Sequence, residues 1–280
     1  MSWLFYSVIT VFFYTAWSLV ARIATVKSNN PRAFSLIYNI FAALSGILLF
    51  AFPREDTLPI TLPVIFITLG ALFFWGIYGR VEFYSTKYVE ASTLSVVSKV
   101  GPMITFILST ILFSEPVTLL KILALLFIIG GNIIALYENK KITIKSGLGY
   151  ALITAAAAGT GWVFDKYLVS YYPQALYVTF SYAITAAIVS FFPALKLSDI
   201  QNELKKGSWK IALISVCGAV GYFFQLKAMA VGEASRVILI ISSTSVFTIL
   251  LGIILLKENT YVWRKIIAGI LVFIGIVLLG

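Results

Sequence analysis

The chain contains no histidine and only one cysteine, Cys217, in 280 residues. The lack of histidine excludes His-based catalytic triads, histidine metal sites and histidine pH switches. A single cysteine excludes disulfides within the chain and metal sites built from several cysteines. Charged residues are also scarce, at 11%, whereas soluble domains have about 25%. An ordinary soluble globule is therefore excluded.

Hydrophobic residues make up 60% of the chain, and they occur in long runs. A helix that spans a bilayer needs about 20 mostly apolar residues, and in lipid the backbone must satisfy its own hydrogen bonds. The short segments of alternating polarity that are typical of a membrane β-barrel do not occur. Ten runs are predicted to be membrane-spanning helices: 3–26, 33–52, 59–85, 92–113, 117–137, 147–169, 175–195, 209–230, 235–256 and 261–280.

The loops between these runs are short, and none of them could hold a soluble catalytic domain. The longest, 196–208, is amphipathic and is predicted to form a turn of helix at the membrane interface. The polar segment 138–146 divides the chain into two five-helix repeats, 1–137 and 147–280, which together are expected to form one membrane domain.

The two halves resemble each other in sequence. A shift of 143 residues places Glu90-Ala91-Ser92 on Glu233-Ala234-Ser235, and it places Glu115 on Glu258. Without a gap, eight positions between 90 and 121 are identical in the second half. Matches near the same offset are Gly76 with Gly218, Gly79 with Gly221, and Trp17 with Trp162.

Each half has five predicted spans, an odd number, so the second repeat must be inverted in the membrane relative to the first. Inverted repeats around a midplane cavity are the architecture of many secondary transporters. The predicted fold class is therefore an all-α integral membrane protein with ten transmembrane helices, arranged as two inverted five-helix repeats around a central cavity. The alternative is a duplicated helical bundle without a transport role.

The segment 87–118 (KYVEASTLSVVSKVGPMITFILSTILFSEPVT) has an Ala-Ser helix start, a proline within the helix at Pro102 and a Ser-Glu-Pro turn. Together with ten spans and a tryptophan near the end of the first helix of each half, it resembles the EamA branch of the drug/metabolite transporter superfamily. The resemblance covers essentially the whole chain, although the second copy has Ser245 in place of Pro102. It implies a bundle with a central cavity, and a substrate drawn from amino acids, metabolites, sugars or toxic compounds.

Lys99 is the clearest candidate for a binding residue. It lies eight residues into the fourth predicted span, next to Ser98, and its counterpart in the second repeat is the neutral Ser242. A charge at the bilayer centre costs about 2.5–3.5 kcal/mol, so such a residue is a functional hypothesis by default. Lys99 is predicted to bind a carboxylate or phosphate in the cavity, beside both serines. The alternatives are a snorkelling lysine and a buried pair with Glu82.

Glu82 is the second charged candidate. It lies four residues after Tyr78, so the two side chains can share one helix face, whereas Arg80 is only two residues away and cannot pair with Glu82. Glu82 is predicted to bind a cationic group of the substrate or to carry a coupling proton. The alternative is a helix-end residue in the headgroup zone.

Further polar and aromatic residues are candidates for the cavity wall. Asn39 and Tyr182 lie mid-span and are related by the 143-residue shift, and Gln225 lies in the eighth predicted span. For these residues the alternative is ordinary hydrogen bonding between helices. An aromatic wall suits an amphiphilic organic solute better than an inorganic ion. The aromatic candidates are Trp17, Trp75, Tyr78, Trp162 and Tyr222.

Other charged residues are given structural interpretations. Glu115 and Glu258 begin the fifth and tenth predicted spans, where the positive end of a helix favours a carboxylate, and both are interpreted as caps of these turns. Charged residues near span ends can reach water, so they are expected to form interfacial pairs rather than ligands. These pairs are Asp165 with Lys166 and Glu233 with Arg236.

Small residues have a mechanical interpretation. Pro102 is expected to kink the fourth predicted span beside Lys99. Glycines at helical spacing let helices approach one another closely. The third and eighth predicted spans have such glycines at Gly76, Gly79, Gly218 and Gly221.

The orientation in the membrane stays open. The odd-numbered loops contain ten Lys and Arg residues, and the even-numbered loops contain only Arg54. The positive-inside rule therefore places the odd loops in the cytoplasm and both termini outside. The family resemblance implies the opposite.

The leading hypothesis is a secondary transporter that moves a small organic solute, with a carboxylate-bearing metabolite or amino acid favoured. A flippase for a lipid-linked or phosphate-bearing substrate, and an exporter of cationic drugs or amines, are the alternatives. No catalytic constellation or nucleotide-binding loop is present, so neither an enzyme nor a cofactor is expected. The expected partners are the solute and the lipid bilayer, without nucleic acid, while ion or proton coupling and the oligomeric state are left open. The expected location is the cytoplasmic membrane of a prokaryote.

Overall fold

The computed structural model describes residues 2–52, 57–89, 94, 97–136, 147–191, 194–248, 251 and 262–279. Within these ranges the chain forms α-helices and a short 3₁₀ helix, Leu49–Ala51, and no β-strand. The α-helices are α1 Trp3–Val26, α2 Pro31–Leu48, α3 Leu62–Tyr88, α4 Val100–Leu112, α5 Leu119–Leu136, α6 Leu148–Leu168, α7 Gln174–Ser190, α8 Leu197–Gly207, α9 Trp209–Val231, α10 Ala234–Ser242 and α11 Val262–Leu279.

Four of these helices, α1, α2, α3 and α9, are long and apolar enough to cross a membrane by length and composition. The described parts of α4, α5, α7, α10 and α11 are shorter apolar helices. Together with α6 they account for the ten predicted spans, and α8 forms where the amphipathic segment 196–208 predicts a helix. The predicted all-helical membrane architecture is confirmed. The segment 138–146, which was predicted to connect the repeats, lies outside the described residues.

The helices of the two halves interleave in a regular pattern. The sequence repeat makes counterparts of α1 and α6, α2 and α7, α3 and α9, α4 and α10, and α5 and α11. α1 packs on α9 and α3 packs on α6, which are the same contact when the halves are exchanged. Counterparts also pack directly on each other in the pairs α2 with α7, α4 with α10, and α5 with α11. The bundle therefore has approximate two-fold symmetry, with an axis that passes between counterpart helices.

Helix α9 lies at the centre of this bundle, in contact with α1, α2, α6, α7 and α10. Its side chains Ile211, Leu226 and Met229 are fully buried. Close packing depends on glycine, as the sequence predicts: a Cβ atom at Gly221 would lie 2.6 Å from the ring of Tyr14 on α1. A Cβ atom at Gly76 would lie 2.6 Å from Ile188 on α7.

Two counterpart helices are interrupted at the same point of the repeat. Ser98 and Lys99 form a turn before α4, and Ser243 forms a turn that separates α10 from the helical residues 244–248. Pro102 has no N–H for the Ser98 carbonyl, which instead accepts from Gly101 N at 3.2 Å. In the second repeat Val246 N donates to Ser243 O at 2.9 Å. The carbonyl of Ser242, which Val246 N would engage in a regular helix, is therefore released.

The amphipathic helix α8 docks on the start of α2. Asn30 caps α2 by accepting two backbone N–H groups at 3.2 Å, and Pro31 occupies the first turn. Glu203 of α8 accepts the backbone N–H groups of Asn29 and Asn30 at 2.7 and 2.9 Å. Asp199 accepts from the Asn30 amide at 3.2 Å. These contacts join a connection of the second half to a loop of the first half.

Glu115 caps a different helix from the one predicted. Its carboxylate accepts from the backbone of Ala234 and Ser235 at 2.8 and 3.1 Å, and from the Ser235 hydroxyl. The acid of the first repeat therefore caps α10 of the second repeat, whereas the sequence placed the cap at its own turn. The capping role is right and the helix is wrong, because sequence order does not show which helix start lies nearest in space. The counterpart Glu258 lies outside the described residues.

The predicted pair of Glu233 and Arg236 is confirmed. Arg236 Nε lies 2.9 Å from Glu233 Oε2. The same oxygen lies 2.5 Å from Nζ of Lys121, a buried side chain on α5. This cluster ties the start of α10 to the first repeat alongside the Glu115 cap.

Replacing Glu115 with alanine should lower the free energy of unfolding by about 2 kcal/mol, because buried N–H groups at the start of α10 lose their acceptor. Thermal melting of the purified protein in detergent measures this. Asp199→Asn is the control, because Asp199 is only partly buried, and it should change stability by less than about 0.5 kcal/mol. Equal melting temperatures for Glu115→Ala and the wild type would contradict the cap.

Candidate functional site

A cavity of about 240 Å³ lies between the two repeats. Helices α1, α2, α3 and α4 of the first half and α6, α7, α9 and α10 of the second half contribute to its wall. Its lining residues are Tyr14, Trp17, Ser18, Tyr38, Asn39, Trp75, Tyr78, Gly79, Glu82, Ser98, Lys99, Pro102, Trp162, Ser181, Tyr182, Thr185, Gly218, Tyr222, Ile238, Ile241, Ser242, Thr244 and Ser245.

Eleven of the twelve binding residues proposed from the sequence line this one cavity. They come from eight separate stretches of the chain, so the fold brings together what the sequence keeps apart. Their place in the wall makes them accessible to a solute, and their role in binding one is a proposal. They are Trp17, Asn39, Trp75, Tyr78, Glu82, Ser98, Lys99, Trp162, Tyr182, Tyr222 and Ser242.

Gln225 is the candidate that does not line the cavity. It is fully buried on α9, and its Oε1 accepts from the hydroxyl of Tyr14 at 2.9 Å. Tyr14 does line the cavity. Gln225 therefore contacts a wall residue from behind, because α9 is packed against other helices on most of its circumference.

Lys99 faces the cavity and bridges the two repeats. Its side chain is 5% exposed, and Nζ donates to the carbonyl of Ser242 at 2.8 Å and to Ser245 Oγ at 2.7 Å. Ser242 is the repeat counterpart of Lys99, so this contact lies at the approximate two-fold axis. The Lys99 ammonium therefore donates to the Ser242 carbonyl, which the break after α10 leaves without its helical partner. The alternative of a buried pair with Glu82 is wrong, because the partners of Nζ are Ser242 and Ser245.

Glu82 is 4% exposed and lines the cavity from α3. Its Oε1 accepts from the Tyr78 hydroxyl, so the predicted shared helix face is confirmed. Among the described residues, neither a lysine nor an arginine forms an ion pair with Glu82. In the part of the chain that the structure describes, Lys99 and Glu82 are the only lysine, arginine, aspartate or glutamate residues that line the cavity.

Eight aromatic residues line the cavity, and several of their rings contact one another edge to face. The ring centroids of Trp75 and Tyr222 are 5.5 Å apart, those of Trp75 and Tyr78 are 5.3 Å apart, and those of Tyr182 and Tyr222 are 5.9 Å apart. The Nε1–H of Trp17 has no hydrogen-bond partner among the described residues. The wall can therefore surround an apolar solute body while a few polar groups contact its ends.

Asp165 corrects a prediction. The sequence placed it at the membrane interface with Lys166, but its side chain is 0% exposed. It accepts from Trp75 Nε1 at 3.0 Å, from the Tyr177 hydroxyl at 2.8 Å and from the Tyr222 hydroxyl at 2.9 Å. Asp165 lies behind the cavity wall, because Trp75 and Tyr222 are part of that wall.

Lys166 points to another part of the bundle. Its Nζ donates to the carbonyls of Met229 and Gly232 at 2.7 and 2.8 Å, at the end of α9. Lysine at this position satisfies carbonyls that the helix leaves without a partner. Neighbours in sequence, Asp165 and Lys166 therefore serve different helices and do not form the predicted pair.

Sequence reasoning missed several wall residues, chiefly Tyr14, Tyr38 and Ser245. Two of them occupy space that glycines leave: Gly218 makes room for the Tyr38 hydroxyl, and Gly221 makes room for the Tyr14 ring. The glycines in the sequence indicate that a neighbouring group approaches α9 closely, but they do not show which side chain this is. For Ser245 the signal was its position as the counterpart of Pro102.

Comparison with known proteins places this geometry in a family. One solved structure, described only as a crystal structure of a protein, has a TM-score of 0.71 and 17% sequence identity. The match covers 98% of this chain and 97% of that chain, and it shows a shared fold alone. No curated protein matches the chain. The model of the EamA-like transporter family matches twice, over residues 1–137 and 145–280. Because these matches cover almost all of it, the chain belongs to the EamA-like transporter family, whose members move small solutes across membranes.

Proposed function

We propose that this protein moves a small carboxylate-bearing organic solute, with an amino acid favoured, across the membrane by alternating access. The observation that carries the proposal is that the charged side chains in the cavity lining, among the described residues, are one lysine, Lys99, and one glutamate, Glu82. One cation and one anion within an aromatic wall are complementary to a solute that carries a carboxylate and an ammonium group.

Lys99 would bind the acid group. A lysine ammonium has three N–H donors, and two of them are engaged by Ser242 and Ser245. The third is left for a solute. Trp17 Nε1–H, which has no partner among the described residues, is a second donor in the same wall.

Glu82 would bind the amino group or carry a coupling proton. Tyr78 donates to Oε1, and no other donor to this carboxylate is seen among the described residues. A buried carboxylate with spare acceptor capacity favours a cationic partner. The aromatic wall adds attraction for an ammonium group through the faces of Trp75 and Tyr222. At about 240 Å³, the cavity suits a small solute.

The contacts of Lys99 also suggest how the solute is coupled to motion. The ammonium joins the stretch before α4 in the first repeat to the break after α10 in the second. A solute carboxylate would compete for the same donors and weaken this link. Rocking of one repeat against the other, as in inverted-repeat transporters, would then expose the site to the opposite side.

Two alternatives remain distinct from this proposal. A flippase would bring Lys99 and Arg80 to one phosphate, but Arg80 does not line the cavity with Lys99, which argues against it. An exporter of cationic drugs or amines is favoured by Glu82 and the aromatic wall, and it makes no use of Lys99. The location proposed for the protein is the cytoplasmic membrane of a prokaryote.

Lys99→Met should abolish stabilisation by carboxylates, because methionine keeps an unbranched side chain, one heavy atom shorter, and removes the charge. A ligand at 100 times its dissociation constant raises the free energy of unfolding by about 2.7 kcal/mol, which a melting shift in detergent reports. The probes are 3-phenylpropanoate, 2-phenylethylamine and phenylalanine, which share one body and differ in their charged groups.

The matched control for this experiment is Lys205→Met, since Lys205 is exposed on α8. This variant should keep the wild-type response. Equal stabilisation by 3-phenylpropanoate in Lys99→Met and the wild type would remove Lys99 from the site. Stabilisation by 2-phenylethylamine alone, equal in both proteins, would favour the exporter of cationic compounds.

Glu82→Gln tests whether Glu82 binds the amino group of the solute and not its carboxylate. Glutamine keeps the size of the side chain but loses the charge, so the affinity for phenylalanine should fall about ten-fold or more. The affinity for 3-phenylpropanoate, which lacks the amino group, should stay within about two-fold of the wild type. Titration calorimetry gives both constants. An equal loss for both probes would show that Glu82 does not contact the amino group.

A further inference from the structure

We infer that Asp165 is a positioning residue that holds Trp75 and Tyr222 in the cavity wall in the arrangement that solute binding requires. The inference rests on the proposed function, because it assigns these rings to the solute site. Asp165 does not line the cavity and touches no solute itself.

The carboxylate joins helices that the chain keeps far apart. Oδ1 accepts from Trp75 on α3 and from Tyr177 on α7, while Oδ2 accepts from Tyr222 on α9. Asp165 itself is on α6. One buried acid therefore fixes rings of the first and second repeats relative to each other. Three hydrogen bonds to one buried side chain therefore restrain both wall rings.

The backbone around Asp165 is shaped for Trp75. Gly161 lies one turn earlier on the same face of α6, and a Cβ atom there would be 3.1 Å from the indole ring. Glycine lets the ring lie against the helix while its N–H reaches the carboxylate. The indole is therefore held by contact with the backbone and by one directed hydrogen bond.

From Asp165 the effect reaches both sides of the wall. Trp75 contacts Tyr78, which donates to Glu82. Tyr222 contacts Tyr182 on α7. Without the Asp165 carboxylate, Trp75 and Tyr222 would lose a hydrogen bond that restrains them. Movement of Trp75 would then also change the position of Tyr78, the hydrogen-bond donor to Glu82.

The repeat provides no second copy of this device. The offset that relates Trp162 to Trp17 places Asp165 on Val20, an apolar residue. A general requirement of the fold would be expected in both repeats. The single copy instead indicates a role in the part of the cavity that Trp75 and Tyr222 form.

Two tyrosines that donate to the same carboxylate provide a matched test. Tyr222→Phe and Tyr177→Phe each remove one hydroxyl from Asp165, but only Tyr222 is in the cavity wall. Asp165→Asn keeps the shape of the side chain, removes its charge and leaves one acceptor oxygen, so the three hydrogen bonds donated to the carboxylate can no longer all be made. The ligand is phenylalanine, with transport measured in proteoliposomes and binding by calorimetry.

Asp165→Asn and Tyr222→Phe should raise KM and the dissociation constant of phenylalanine about ten-fold while the maximal rate changes less than about two-fold. Tyr177→Phe should keep the wild-type KM. A purely structural role predicts equal losses for Tyr177→Phe and Tyr222→Phe, and that result overturns the inference. Unchanged KM in both Asp165→Asn and Tyr222→Phe also overturns it. If Asp165→Asn fails to fold, the two tyrosine variants decide alone.

A spectroscopic measurement without ligand separates this inference from the proposed function. The indole N–H signal of Trp75 in the ¹H–¹⁵N spectrum, assigned with Trp75→Phe, should move upfield in Asp165→Asn and stay in place in Tyr177→Phe. If the wild type binds none of the probes, the proposed function fails, and the Trp75 signal still decides whether Asp165 positions the ring. A signal that Asp165→Asn leaves unchanged overturns the positioning role.

Discussion

A buried polar group in an apolar surrounding must find its partner within the protein, and the packing of this bundle depends on that constraint. Apolar contacts alone select helix partners weakly in lipid, because lipid tails offer the same contacts. An unpaired buried charge is costly, so charged side chains select partners strongly. Glu115 accepts hydrogen bonds from the start of α10, and Glu203 accepts them from the residues just before α2. Asp165 joins α6 to three other helices. Each contact fixes elements that the sequence separates by many residues.

The same constraint bears on the polar groups of the cavity wall. Away from the cavity, the charged side chains of Lys166 and Glu115 are engaged by partners in the packed interior, Lys166 by two carbonyls at the end of α9 and Glu115 by the start of α10. In the cavity wall, donor and acceptor capacity is left over. Lys99 has one donor beyond its two contacts, and Trp17 Nε1–H has no partner among the described residues. Because these groups line an open cavity, their spare hydrogen-bonding capacity supports the proposal that the cavity binds a solute.

Much of the architecture could be predicted from the sequence, because hydrophobic runs and the internal repeat are local signals. Most of the cavity candidates could be predicted for a related reason. A polar side chain in the middle of a span is unfavourable in lipid, so it faces either the protein core or a cavity. Gln225 shows the limit, since such a residue also fits the core when its helix is surrounded. Asp165 shows another limit. Its distance from the end of a span gives its place along the helix, whereas its three donors come from α3, α7 and α9.

The contact between Lys99 and Ser242 has a consequence for the energetics of the two repeats. If the two repeats had identical sequences, any conformation of the protein would have an equivalent conformation in which the two repeats exchange places. Both conformations would have the same free energy. Here a cation stands on one side of the axis and a neutral serine on the other. If the repeats exchanged places, Ser242 would have to donate to the carbonyl of Lys99, and its side chain has no ammonium group with which to do so. The difference between Lys99 and Ser242 therefore removes the equivalence of the two repeats, and under the proposed alternating access the two arrangements would differ in free energy even before any solute binds.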